Sequence, residues 1–269
     1  MTSKIVWITG ASSGIGEAVA RNYAARGVKL ILSARREEAL EAIKKSMVQD
    51  GAKADDIFIL PLDVTDFDGM ADKVEAAFSA FGRVDLLYNN AGISQRSKAL
   101  DTDMKTYRTL FEVDVFGQIA LTKEVLPRMI EQGQGHLAVT SSIAGKLGVP
   151  YRTGYCAAKH AMMGFFDALR AETVDQNIHV TCVVPGFIRT AIAENSVSGD
   201  GSRFGQKDAV IENGMPADAA AKVIVDGFEA GKKEIPVGHG KEMNALWIKR
   251  LFPNWAFSLA AKMGKPKAS

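Results

Sequence analysis

Six short apolar runs punctuate the chain: KIVWIT (4–9), KLILSA (29–34), IFILPL (57–62), VDLLYNNA (84–91), HLAVTSS (136–142) and HVTCVVPG (179–186). EIPVG (234–238) is a weaker seventh. Each is too short for a helix and several are rich in Val, Ile and Leu, so they read as strands buried on both faces. Amphipathic stretches separate them, near 15–26, 36–49, 67–81, 103–131, 153–175 and 216–230. This alternation predicts an α/β fold, a doubly wound, mostly parallel seven-stranded sheet with helices on both faces. Two stretches depart from it. Residues 191–215 are rich in Gly, Ser and Asn, follow a strand end, and read as a substrate loop that could close over a site. Residues 241–263 carry Trp247, Phe252, Trp255 and Phe257, with Pro253 breaking the pattern. The expected organisation is one domain over 1–240 and a C-terminal extension over 241–269.

Composition narrows the function classes. Hydrophobic residues make up 47% and charged residues 24% of the 269 positions, which excludes disorder, collagen and a disulfide scaffold. The 33 basic and 31 acidic side chains leave a net charge of +2, too little for a nucleic-acid footprint over the whole surface. The charge is uneven: residues 232–269 hold eight Lys/Arg and two Glu, a net of +6, so the remainder carries −4. In the extension Lys241, Lys249, Arg250, Lys262, Lys265 and Lys267 interleave with the aromatics. Such a stretch can lie on a membrane surface, close the substrate pocket or pack on another subunit. Cys156 and Cys182 make no framework, and neither they nor the four histidines show metal-ligand spacing, so no metal is expected. MTSKIVWITG enters structure at once and lacks the apolar run of a signal peptide, and no apolar run reaches ~18 residues. These features predict a cytoplasmic protein, peripheral at a membrane if the extension binds one.

The first strand runs directly into Thr9-Gly10-Ala11-Ser12-Ser13-Gly14-Ile15-Gly16. Gly10 suits a tight turn, the following backbone can approach a phosphate closely, and Gly16 lets the helix pack near the strand. A pyrophosphate would then meet the helix N-terminus, where free N–H groups and the dipole favour anions. The spacing alone is a modest signal; its place between first strand and first helix makes it strong. The domain over 1–240 is thus read as dinucleotide-binding, of the Rossmann type. The second strand bears on which dinucleotide. An NAD site would put Asp or Glu at its end, whereas the chain reads Ser33-Ala34-Arg35-Arg36. Arg35 can fork onto a 2′-phosphate, with Ser33 or Arg36 adding a donor, which predicts NADP(H).

Tyr155 and Lys159 are spaced to share one helix face, and Ser142 ends the strand before that helix. Tyrosine is a poor base at neutral pH, but an ammonium close by favours the phenolate. The pair can then move a proton to or from a substrate oxygen that a serine hydroxyl holds.

Taken together with further motifs, these residues make the chain resemble a short-chain dehydrogenase/reductase of the single-domain branch. The resemblance rests on TGASSGIG (9–16), LDV (62–64), NNAG (89–92), SS-x-AG (141–145), Tyr155-x-x-x-Lys159 and PGFIRT (185–190). It implies that Asp63 and Val64 border the adenine, that Asn90, Ala91 and Gly92 lie along the cofactor, and that Thr190 holds the nicotinamide carboxamide near Pro185, Gly186 and Ile188. It further implies that Ser142 positions the carbonyl, Tyr155 is the acid/base, and Lys159 holds the ribose and tunes Tyr155. NNAGISQRS, ALTKEVLPRMI and AGKLGVPYRTGYCAAKHA are similar to the branch of hydroxysteroid-dehydrogenase-like members, which implies NADP(H), a lipophilic small-molecule alcohol or carbonyl substrate, and a homodimer or homotetramer.

One position departs from the family pattern. V-N-x-x-G, whose Asn serves a water relay to the lysine, reads here Val113-Asp114-Val115-Phe116-Gly117. An ionised Asp114 near Lys159 would stabilise the charged lysine, whereas an unpaired buried one would keep its proton. Alternatively the backbone does the relay work and Asp114 is tolerated. The leading expectation is reduction of a bulky apolar ketone or aldehyde, or the reverse, by hydride transfer. A 3-oxoacyl-thioester reductase shares every catalytic residue. A non-catalytic NADP(H)-binding redox sensor is the contrasting class, and such relatives typically lose the tyrosine or lysine.

Overall fold

The computed structural model describes residues 4–263. β1 (Ile5–Thr9), α1 (Gly14–Ala24), β2 (Lys29–Ser33), α2 (Glu37–Gln49), β3 (Ile57–Ile59), α3 (Met70–Phe81) and β4 (Leu86–Asn89) form the first half. α4 (Met104–Phe111), α5 (Gly117–Glu131), β5 (Gly135–Thr140), α6 (Thr153–Glu172) and β6 (Ile178–Pro185) follow. The described residues continue with β7 (Ile188–Arg189), α7 (Ala209–Glu212), β8 (Met215–Pro216), α8 (Ala217–Glu229), β9 (Glu234–Val237), α9 (Asn244–Leu251) and α10 (Pro253–Met263). The main sheet is seven-stranded in the order β3-β2-β1-β4-β5-β6-β9, and every pairing in it is parallel.

Strand alternation divides the core into two layers. Ile5, Trp7 and Ile31 face one side, with Val74, Phe78, Leu121, Val125, Met162 and Phe166 of α3, α5 and α6. Val6, Ile8, Leu30 and Leu32 face the other, with Val19, Leu40, Ile43, Ile224 and Phe228 of α1, α2 and α8. Both faces of the sheet are therefore covered, as continuous apolar strands require. The strand order reverses between β1 and β4, which opens a crevice at the carboxyl ends of the strands.

The structure differs from the sequence expectation in several places. The third strand ends early, at Ile59. The fourth strand ends at Asn89 because Thr9 Oγ1 takes the N–H groups of Asn90 and Ala91, at 3.0 and 3.1 Å, and turns the chain off the sheet. The single helix expected over 103–131 is α4 and α5 joined by a π-helical turn, Glu112–Phe116. The 191–215 stretch is not structureless: α7 lies within it, and β8, which begins at its end, pairs with β7. In the extension Pro253 does not merely interrupt. It ends α9 and opens α10 at the first helical position, where its missing N–H costs nothing. Lys265 and Lys267 lie outside the described residues.

Candidate active site

The glycine loop joins β1 to α1 at the crevice. Gly10 has φ +63°, and a side chain there would press on the Ala91 backbone. A Cβ on Gly16 would collide with the Gly10 carbonyl, so the helix can approach the turn only with glycine. Ser13 is the exposed N-cap of α1, yet its side chain makes no capping hydrogen bond. The first-turn N–H groups have no partners within the helix, so the start of α1 can accept an anion. Ser12 and Ile15 are half-buried beside it. Thr190 stands over the loop, with its methyl 3.2 Å from where a Gly14 Cβ would lie. These features fit a dinucleotide pyrophosphate.

The remaining expected cofactor residues line the same ends of the strands. Asn90 donates through Nδ2 to Thr9 O at 3.2 Å, and its Oδ1 lies 3.0 Å from Thr140 Oγ1. Gln118 Nε2 fixes the Ala91 carbonyl at 2.6 Å. Asp63 is exposed and accepts from the Thr65 N–H and hydroxyl, while Val64 is buried. Pro185 and Ile188 are buried, and Gly186 lies against Glu242 and Met243 at the start of the extension. Arg35 and Arg36 are exposed at the end of β2 and take part in no ion pair among the described residues. Ser33 corrects the sequence reading. Its hydroxyl turns into the core and accepts the Trp7 indole N–H at 2.8 Å, so it does not join the arginines at the surface.

Tyr155 and Lys159, in the first turns of α6, meet Asp114 of the π-turn Glu112–Phe116 beside the end of β5, and Ser142 follows that strand. Lys159 Nζ donates to Thr140 O at 3.1 Å, lies 3.2 Å from Asp114 Oδ2 and stands 5.6 Å from the Tyr155 ring centre. Both charged groups are buried. Burial alone would push the Lys159 ammonium toward its neutral form, but the Asp114 charge, the nearby Tyr155 oxygen and the hydrogen bond to Asp114 together outweigh it and hold the lysine above its ordinary range. Burial pushes the Asp114 carboxyl up, opposed by Lys159 and by the Ile93 N–H, which donates to Oδ1 at 2.7 Å. The π-turn carries Asp114 inward to this position; such turns are frequent at functional sites. Ser142 Oγ accepts the Ala144 N–H at 3.1 Å and lies 3.4 Å from Pro185 O. Ser141 Oγ donates to Lys159 O at 3.0 Å and ties the end of β5 to α6.

Three further residues hold this arrangement without being marked by the sequence. Thr140 supplies the carbonyl that shares Lys159. Gln95 is buried against the start of α6, accepting from Gly154 N at 2.7 Å. Asp208, from the 191–215 loop, binds Arg96 at 2.6 Å and Arg152 at 3.5 Å, latching that loop beside α6. The only advance signal for these was polar residues inside or beside motifs already marked. Cys156 follows Tyr155, but burial raises its thiol above the ordinary range, and with Ala144 and Tyr155 it forms a small apolar cluster.

A glycine-rich loop at the switch point and a Ser–Tyr–Lys set at the adjoining strand ends suit a nucleotide-dependent oxidoreductase. The family model for short chain dehydrogenases matches residues 4–201. Dehydrogenase/reductase SDR family member 7 of Homo sapiens is 38% identical over 269 residues, covering 99% of this chain and 79% of that protein. An alcohol dehydrogenase from Thermococcus sibiricus, solved with 5-hydroxy-NADP, superposes with a TM-score of 0.74 at 26% identity, over 88% of this chain and 97% of that one. A short chain dehydrogenase/reductase from Burkholderia phymatum, solved with NAD, shares the fold with a TM-score of 0.82 at 23% identity, over 99% and 98% of the two chains. The chain belongs to the short-chain dehydrogenase/reductase family, oxidoreductases acting on CH–OH groups.

Proposed function

We propose that the protein interconverts a bulky apolar ketone or aldehyde and its alcohol, using NADP(H). The observation that carries this reading is the buried Lys159 ammonium, shared by Asp114 and Thr140 O next to the Tyr155 ring. Bound nicotinamide supplies or accepts the hydride at the carbonyl carbon. In the reductive direction Ser142 Oγ holds the substrate oxygen, and the Tyr155 hydroxyl gives it a proton. Lys159 stabilises the phenolate left behind, and Asp114 keeps that lysine charged. The loop from Gly10 to Gly16, with Asp63, Val64, Asn90, Ala91, Gly92, Pro185, Gly186, Ile188 and Thr190, would hold the dinucleotide. An apolar substrate is in keeping with a shallow, mostly apolar depression at the start of α6, lined by Gly148, Val149, Pro150, Thr153, Cys156 and by Ala260 and Ala261 of α10.

The direct test follows NADPH oxidation at 340 nm across bulky ketones, aldehydes and 3-oxoacyl thioesters. Preference for the ketones and aldehydes is expected, and thioesters turning over best would select the thioester-reductase reading instead. Tight NADPH binding without turnover on any compound would favour the redox sensor. The choice of nucleotide is assigned to Arg35 and Arg36. A hydrogen bond to a charged group contributes roughly 1.5–3 kcal/mol, so Arg35→Ala should weaken NADPH binding about 10–150-fold. NADH binding should change by less than about threefold. Equal losses for both nucleotides in a fluorescence titration would refute the assignment.

The extension is read as a membrane-surface contact of an otherwise cytoplasmic enzyme. Trp247, Leu251, Phe252, Trp255 and Phe257 are all exposed, and no Asp or Glu occurs after Glu242. Lys249 Nζ sits 3.9 Å from the Phe257 ring centre, joining α9 to α10. Among the described residues no helix is long and apolar enough to cross a membrane, so the contact would be interfacial. Flotation with phosphatidylserine-containing vesicles at low salt should carry the protein upward, and high salt should release it. Protein left wholly in the soluble fraction at low salt would remove the idea. Assembly as a homodimer or homotetramer belongs to the same reading, and light scattering on the purified protein measures it.

A further inference from the structure

The helix that carries Tyr155 and Lys159 begins without a cap of its own. Its N-cap residue is Arg152, a side chain with no acceptor, and no side-chain capping bond forms there. A capping oxygen ordinarily takes the N–H of the second or third helical residue. In α6 these are Gly154 and Tyr155, and both donate instead to Gln95 Oε1, at 2.7 and 3.4 Å. Gln95 arrives from the segment after β4 and is wholly buried. Its Nε2 donates to Ser97 Oγ and Thr102 Oγ1, each at 3.0 Å. The carboxamide is thus used at both ends, and turned round it would set its NH₂ against two N–H donors.

The surroundings fit a device for placing the helix. A Cβ on residue 154 would lie 2.7 Å from Tyr107 Cδ1 and 3.0 Å from Gln95 Oε1, so glycine at that position admits the contact. The segment bearing Gln95 is held on two further sides. Arg96 N donates to Val197 O of the 191–215 loop at 2.9 Å, and Ser97 N donates to Tyr151 O, just before α6, at 3.0 Å. On its other side it continues from Asn90 and Ala91, which Thr9 fixes to the end of β1.

We propose that Gln95 is the positioning residue of the catalytic helix. It caps α6 from outside through the backbone of Tyr155 itself, and so sets the tyrosine hydroxyl in register with the nucleotide-binding strands and the substrate loop. This rests on the reading of Tyr155 as the proton donor. Gln95→Met keeps the length and removes every polar atom. Gln95→Glu keeps the acceptor, and the Ser97 hydroxyl can turn to donate to it.

The test uses the full chain with NADPH and its best carbonyl substrate, with hydrogen exchange resolved at the Gly154 and Tyr155 amides. Gln95→Met should lower kcat about 30-fold, because small misplacements of reacting groups cost that order. KM and the NADPH Kd should stay within about threefold, and the two amides should exchange at least about tenfold faster. Gln95→Glu should bring kcat back to within about fivefold of the parent and restore protection. Wild-type kcat in Gln95→Met, or unchanged exchange at both amides, overturns the proposal. So does a Gln95→Glu enzyme as slow as Gln95→Met. If Gln95→Met fails to bind NADPH and is therefore misfolded, Thr102→Val decides. It releases one anchor of the carboxamide without touching the helix, and unchanged exchange there overturns the proposal equally. Failure of the Tyr155 reading looks different: Tyr155→Phe keeps its turnover, or the parent has none, while the exchange arm still reports on the cap.

Discussion

Tyr155→Phe should lose kcat/KM by about 10²–10⁴-fold, the usual range for removing a positioned acid or base. NADPH affinity should remain within about threefold. The hydroxyl is the only group removed, and the ring that packs with Ala144 and Cys156 stays. The buried ammonium of Lys159 keeps Asp114 and Thr140 O as partners in the variant, so no charge is stranded and the melting temperature should hardly move. Carbonyl reduction persisting at a tenth of the parent rate or more would remove Tyr155 from the chemistry. A loss of both turnover and NADPH binding would instead show that the hydroxyl helps build the cofactor site.

What the sequence disclosed and what it concealed follow one physical division. The glycine loop was legible because its geometry depends on neighbours in the chain: a strand, three glycines and a helix start. Tyr155 and Lys159 were legible because helical spacing alone puts them on one face. The two-layer core was legible too, since strict alternation along β1 and β2 assigns Trp7 and Ile31 to one side, Val6 and Leu32 to the other. Contacts across the sheet were not. Ser33 reads as a surface hydroxyl at a strand end until Trp7, on the neighbouring strand, claims it. Gln95 meets the start of α6 from 59 residues away, and no local pattern marks that meeting. The π-turn at Glu112–Phe116 lies between two helices of good amphipathic pattern, and one wider turn barely disturbs the periodicity. The substitution at 114 was visible in the sequence, but its consequence depended on whether Lys159 would be close enough to share the charge.

That distance makes the Asp114 variants the second large effect. Lys159 is buried and has two partners, the Asp114 carboxylate at 3.2 Å and the Thr140 carbonyl at 3.1 Å. Asp114→Leu removes the first and also takes the acceptor from the Ile93 N–H. Breaking a buried pair from one side typically costs about 3–5 kcal/mol, because the surviving charge keeps its desolvation penalty. At about 2–4 °C per kcal/mol for a domain near this size, the melting temperature should fall roughly 6–20 °C. Burial would then push Lys159 toward its neutral form, and activity should fall with its charge. Asp114→Asn separates the two roles. The amide oxygen can still accept from Ile93 while the negative charge is gone, so the fold should survive with a smaller loss. If Lys159 needs only a polar neighbour and Thr140 O, Asp114→Asn retains at least about a tenth of the parent kcat/KM, since a preserved hydrogen bond limits the loss. A larger drop with NADPH binding intact would mean that the carboxylate itself participates, through its charge on Lys159 and not only as a polar neighbour. The chain would then run its Tyr–Lys pair with a charged group where the family pattern has an amide.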